Sequence, residues 1–88
     1  MFFDDFQQQI GHEVEEYEVG VRAPGRTVEI IACKVHEFSK IHAALHADKL
    51  ALILKAIADW EAKIIDDQAA AERICAIYRT WTAGQGEK

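Results

Sequence analysis

The sequence predicts an all-α protein, a bundle of about four helices that forms a dimer. From Arg26 to Ala83 the chain contains neither glycine nor proline, the two residues that most often interrupt regular structure. Apolar residues recur three and four positions apart along this stretch, which places them on one face of a helix. Half of the 88 residues are hydrophobic, so we expect a second burial surface between two copies.

The chain length fits one domain. We assign residues 1–83 to a single helical domain and residues 84–88, which are rich in glycine and charge, to a disordered C-terminal tail. We find no internal repeat in the sequence.

The first helix is predicted over residues 2–19. Its apolar side chains step by three or four positions along one face: Phe2, Phe6, Ile10, Val14, Tyr17 and Val21. Gly20 can adopt the left-handed conformation that often ends a helix, and Pro24 follows it.

The second helix is predicted over residues 27–46, with Thr27 as its N-cap. Its seam is heptad-like and consists of Val28, Ile31, Val35, Phe38, His42 and Leu45.

A β-hairpin is the alternative for residues 16–33. Tyr17, Val19 and Val21 alternate with polar or small residues before Pro24, and Val28 and Ile30 alternate after it. The fold class would then be α+β, with the hairpin followed by helices.

Two more helices complete the prediction. The third begins at Asp48 and ends near Ile65, with a main face formed by Leu50, Ile53, Leu54, Ile57, Trp60 and Ile64. The fourth is capped by Asp66 or Asp67 and ends near Ala83. Its inner face contains Ala71, Ile74, Cys75, Tyr78 and Trp81.

The net charge of −5 is concentrated in the first segment. The first 21 residues hold six acids and no lysine or arginine, and an acid near a helix C-terminus opposes the helix dipole. We therefore predict a partner-binding surface on which Phe2 or Phe3, with Trp60 or Trp81, is exposed as an anchor. Its candidate residues are Asp4, Asp5, Glu13, Glu15, Glu16, Glu18, Phe2 and Phe3. In the alternative interpretation, Arg22, Arg26 or bases on a neighbouring helix neutralise these acids. In the alternative for the anchors, the near-terminal apolar residues pack across a dimer seam.

We expect no enzyme activity, no cofactor and no metal. The single serine, Ser39, lies outside any nucleophile motif. His42 and His46 share a helical face, and Cys33 lies further back, but a structural zinc ion needs four converging ligands. A metal-dependent sensor that uses these three residues remains a hypothesis.

Membrane and nucleic-acid binding are not expected. No apolar run approaches the 18 or so residues of a membrane span. The lysines are dispersed, whereas phosphate contacts need clustered bases. Acids stand near Met1, where a signal peptide would be basic, and two cysteines form no disulfide framework, so we expect a cytoplasmic protein.

The sequence thus favours a small acidic, non-enzymatic interaction module. It would act as an inhibitor, adaptor or regulator by covering the basic surface of a larger protein, as phage or mobile-element products do when they block host proteins. The alternative function is a dimeric DNA-binding transcriptional regulator, in which the bundle forms the dimer.

Overall fold

The computed structural model describes residues 3–42 and 46–83. These residues form four helices: α1 (Phe3–Glu18), α2 (Pro24–His42), α3 (Ala47–Glu61) and α4 (Asp67–Ala83). The described ranges contain no β-strand, which confirms the all-α class and shows that the β-hairpin at residues 16–33 is wrong. The alternation that suggested strands falls on the end of α1 and its turn, where Val19 and Val21 face solvent.

One apolar core holds the four helices together. Helices α2 and α4 pack against each other at the centre, and α1 and α3 each pack against both of them. The core is built from the residues that are three and four apart in each helix, such as Ile10 and Val14 in α1 and Ile53 and Ile57 in α3. At one end of the bundle, the rings of Phe6 and Phe38 stack with their centroids 4.2 Å apart.

The turns after α1 and α3 have the same backbone hydrogen bonds. The N–H of Val21 donates to the carbonyl of Glu16, and the N–H of Ile64 donates to the carbonyl of Asp59. The remaining hydrogen bonds of both turns, up to the first turn of the next helix, also correspond, each displaced by 43 positions. The pattern is a Schellman motif, in which a left-handed residue ends the helix.

The pattern of buried residues also repeats after 43 positions. Several positions are buried in both halves of the chain: Gln7 and Leu50, Ile10 and Ile53, Val14 and Ile57, Val28 and Ala71, Ile31 and Ile74, and Phe38 and Trp81. Residues 3–42 and 46–83 are therefore two versions of one helical hairpin, the first hairpin and the second hairpin. The repeat preserves helix length, turn geometry and burial while most residue identities differ, so it is not visible as a repeat in the sequence.

The two hairpins are related by an approximate two-fold axis. Glu18 of the first pairs with Arg79 of the second, and the equivalent residues exchange roles, since Glu61 pairs with His36. Phe3 likewise contacts the ring of Trp81, and its equivalent His46 contacts Phe38. Such reciprocal contacts define a two-fold arrangement. It brings both turns, and the starts of α2 and α4, to one end of the molecule.

Several local predictions need correction. Thr27 is buried inside α2, where its hydroxyl donates to the carbonyl of Ala23 at 2.9 Å, so it is not the N-cap. The residue before α3 is His46, without a side-chain cap, and Asp48 lies in the first turn of that helix. Ile64 belongs to the turn and not to the inner face of α3, because that helix ends at Glu61.

Other local predictions are confirmed. Gly20 has a φ of 85° and ends α1 in the left-handed conformation. Asp66 caps α4, since its Oδ1 accepts a hydrogen bond of 2.8 Å from the N–H of Ala69. Gly11 lies against the Tyr78 ring, at a point where a Cβ would collide with the tyrosine. The close approach of α1 and α4 thus explains a glycine within a helix.

Some predictions fall outside the described residues. They concern Phe2, Leu45 and the tail at residues 84–88. No helix in the described ranges is long and apolar enough to cross a membrane.

Candidate protein-interaction surface

The acids of α1 fall into two groups, and the first group is neutralised within the molecule. Glu13 is buried and forms an ion pair with Arg22, which follows the turn after α1. Glu16 lies 3.7 Å from the same guanidinium. The left-handed turn at Gly20 brings Arg22 back over the last turns of α1, where negative charge opposes the helix dipole. Glu13 and Glu16 therefore belong to the internal support of this turn.

Glu18 is neutralised by the second hairpin. Its carboxylate accepts a hydrogen bond from Arg79 of α4 and raises the pKa of that guanidinium above its ordinary value. The contact joins the C-terminal end of α1 to α4. The alternative in which neighbouring bases neutralise the acids of α1 thus describes these three glutamates.

The second group consists of Asp4, Asp5 and Glu15, which are exposed. None of the three has an ion pair or a side-chain hydrogen bond within residues 3–42 and 46–83. Helical spacing places them on the outer side of α1, along with the exposed residues Gln8 and His12. We name the surface formed by Asp4, Asp5 and Glu15 the acidic α1 face.

Of the two aromatic residues predicted near the start of α1, Phe3 is not on this surface, and Phe2 lies outside the described residues. Phe3 is buried, with its ring centroid 5.9 Å from that of Phe38 and 5.2 Å from that of Trp81. The ammonium of Lys49 lies 4.5 Å from the centroid of Phe3 and covers its outer side. Phe3 thus supports the core at the end of the bundle opposite the two turns. The apolar residue exposed near the acidic α1 face is Val19.

The arginines face carboxylates of this chain. Arg22 pairs with Glu13, Arg26 with Glu29, Arg73 with Asp59, and Arg79 with Glu18. An arginine engaged in this way is less available to a nucleic-acid phosphate, which needs several free bases close together.

The residues considered for metal binding or catalysis are dispersed. No group of three or more histidines, cysteines or acids among the described residues could hold a metal ion. The rings of His42 and His46 pack against Phe38, with centroids 4.7 and 5.8 Å away. Cys33 is exposed, whereas burial raises the pKa of the Cys75 thiol to about 11. A thiol with such a pKa is a poor nucleophile near neutral pH.

A second surface, which the sequence analysis did not identify, lies at the turn between α3 and α4. It is an open groove of about 990 Å³ between this turn and the start of α2. Pro24, Trp60 and Ile65 contribute apolar surface, and Ile64 projects from its rim. We name it the turn groove. In the sequence, Asp66 and Asp67 stood out as helix caps and Trp60 and Ile64 as members of a helical face, but nothing in the pattern places a left-handed residue at Lys63.

No protein-family model, no curated protein and no solved structure matches this chain.

Proposed function

We propose that this protein is a small, non-enzymatic interaction module that binds a basic surface of a larger cytoplasmic protein and so inhibits or regulates it. The observation that supports the proposal is the acidic α1 face. Asp4, Asp5 and Glu15 are exposed and lack an intramolecular cation among the described residues, while Glu13, Glu16 and Glu18 of the same helix have one. Negative charge that the fold does not use remains available to a partner.

The mechanism is occlusion. A rigid helix presents carboxylates to lysines and arginines of the partner, and complementary charge speeds and orients the encounter. Val19, which is 71% exposed, adds apolar surface at one end of the helix. The bundle that supports α1 then covers the partner's functional site. This step requires no bond to be made or broken, and a product of a phage or mobile element that blocks a host protein would work in this way.

Self-association is part of the proposal. Helix α3 exposes the large apolar side chain of Leu52 to solvent, and its burial against a second copy would be favourable. A homodimer through this face would leave the acidic α1 face free, because α1 and α3 lie on opposite sides of the central pair of helices. Light scattering of the wild type and of Leu52→Glu tests it: a dimer that persists unchanged in the variant contradicts this arrangement.

The experiment for the partner compares two charge-reversed variants of equal net charge. Tagged wild-type protein, the variant Asp5→Lys/Glu15→Lys and the control Glu37→Lys/Glu72→Lys are used to capture partners from a lysate of the native host, followed by mass spectrometry. We expect a stoichiometric basic partner that the wild type and the control retain and the α1 variant loses. Equal retention by all three proteins would contradict binding through the acidic α1 face.

A further inference from the structure

We propose that the turn groove binds a short peptide segment of another protein that carries an apolar side chain beside a lysine or an arginine. This site is separate from the acidic α1 face and does not depend on it. The occupant follows from the groove's lining and from the way its carboxylates are held.

The apolar part of the groove comes from three segments of the chain. Trp60 lies at the end of α3, Ile64 and Ile65 in the following turn, and Pro24 at the start of α2. Trp60 and Ile65 are partly buried against the core, whereas 70% of Ile64 is exposed. A fixed apolar floor with a projecting rim suits an apolar side chain from a partner, because its burial releases water from both surfaces.

Two carboxylates of the groove, Asp66 and Asp67, form no ion pair with the residues that the structure describes. Asp66 accepts from the backbone N–H of Ala69, and Asp67 accepts from the indole N–H of Trp60 at 2.8 Å. Both donors are neutral groups, so they orient the two carboxylates without cancelling their negative charge. A cation placed beside the apolar floor would form charge-assisted hydrogen bonds with both carboxylates.

The remaining charges favour the same occupant. Glu61 adds a third carboxylate to the lining, 3.5 Å from the imidazole of His36, which carries charge only when protonated. Among the described residues of the lining, Lys63 is the single cation, against three acids. The groove is therefore negative overall, and a positively charged segment is its electrostatic complement.

Backbone strain is located at the same place. Lys63 has a φ of 64°, and among the described residues it is the only non-glycine residue with a positive φ. The first hairpin has glycine at the equivalent position, Gly20. A strained residue where glycine would serve is typical of sites at which the strained segment has a binding role. The strained backbone at Lys63 thus agrees with a peptide-binding role of the turn groove, for which the lining and its charges are the main evidence.

The test uses the full chain and a random dodecamer peptide library displayed on phage. We expect the enriched peptides to contain a lysine or an arginine next to an apolar residue. A selected peptide, synthesised with a fluorescent label, is then titrated by fluorescence anisotropy against the wild type and three variants at low and high salt.

The variants separate the groove from its counterpart in the first hairpin. Ile64→Ser removes the rim and should weaken binding about tenfold. Asp66→Asn keeps a capping side chain but loses the charge, so it should weaken binding about threefold and reduce the salt dependence. Val21→Ser changes the equivalent exposed residue of the first turn and should leave the affinity unchanged. Circular dichroism checks that each variant is folded.

Four outcomes would overturn the assignment. They are no enrichment of any sequence, enrichment of uncharged or acidic peptides, equal weakening by Val21→Ser and Ile64→Ser, and a wild-type dimer in light scattering that Ile64→Ser dissociates. The last would mean that a second copy fills the groove. Because Asp5→Lys/Glu15→Lys leaves the turn groove intact, that variant should still bind the peptide, and the two proposals can fail separately.

Discussion

The two hairpins have the same backbone, but their turns are stabilised by different chemistry. The first turn ends α1 with Gly20 and is held by Arg22 against the buried Glu13. In the second turn, the equivalent residues are Lys63, Ile65 and Ala56. One turn thus combines an unstrained glycine with an internal ion pair, and the other combines a strained lysine with apolar packing.

The difference shows which features the hairpin geometry requires. A left-handed residue is required after each helix, because both turns form the same backbone hydrogen bonds. A glycine at that position is not required, nor is an ion pair across the turn. The first turn uses its charges inside the fold, whereas in the second turn Asp66 and Asp67 lie beside an open groove and pair with no cation of the described ranges.

The largest expected effect tests whether the two hairpins contribute equally to the core. Ile10 and Ile53 are equivalent and both completely buried. Ile10→Ala and Ile53→Ala should each lower the free energy of unfolding by about 2–5 kcal/mol, since each deletion removes buried methyl groups and leaves a cavity. Urea denaturation provides the measurement. Losses that differ by more than a factor of two would show that the symmetry of the backbone does not extend to the energetics.

The next effect concerns the ion pair of the first turn. Glu13→Ala removes the buried partner of Arg22 and leaves it the more distant carboxylate of Glu16. It should lower the free energy of unfolding by about 2–3 kcal/mol, less than the loss of a fully buried pair, because the guanidinium is partly exposed. Glu13→Ala/Arg22→Ile installs the residues of the second hairpin and should recover most of that loss. Chemical denaturation of both variants gives the answer. A double variant less stable than Glu13→Ala alone would mean that the two turns are not interchangeable.

A smaller effect is expected for the left-handed residues. Gly20→Ala should lower the free energy of unfolding by about 1 kcal/mol, since a Cβ there meets no neighbour and the cost is purely conformational. Lys63→Gly should raise stability by up to about 1 kcal/mol for the opposite reason. Thermal unfolding followed by circular dichroism measures both. A destabilised Lys63→Gly would show that the lysine side chain has a structural role of its own.

The smallest effect is expected for the pH dependence of stability that Asp59 contributes. Hydrogen bonds from Lys55 and Arg73 lower the pKa of Asp59 below its ordinary value. Its contribution to stability is therefore complete above the unfolded-state pKa of about 4 and declines as the pH falls through the folded-state pKa.

Relative to the wild type, Asp59→Asn should flatten the dependence of stability on pH below about pH 4. Urea midpoints measured from pH 6 to pH 2 make the comparison. If the urea midpoint of Asp59→Asn falls with decreasing pH as steeply as that of the wild type, other carboxylates are responsible for the acid sensitivity.

The helices and most core positions could be predicted from the sequence. An apolar residue every three or four positions is a local property, and it located Ile10, Ile31, Ile53 and Ile74 on inner faces that the structure confirms. Gly20 as a helix end and Asp66 as a cap were also predictable, because each acts through its own backbone and its nearest neighbours.

The partners of the charges could not be predicted in this way. Glu15 and Glu16 are adjacent and chemically the same, yet Glu16 faces Arg22 and Glu15 faces solvent. Glu18 meets Arg79 across 61 positions of the chain, a contact that depends on how the hairpins pack. Phe3 was expected at the surface, but the two-fold packing buries it among aromatic rings from other helices.

By itself, then, the sequence determined the helical class, the helical faces and the excess of negative charge in the first segment. Only the tertiary structure decided which carboxylates stay free, that the two halves repeat, and that the turn after α3 borders a groove. The physical reason is distance along the chain: periodicity and capping act within a few residues, whereas ion pairing, burial and symmetry arise between segments that only folding brings together.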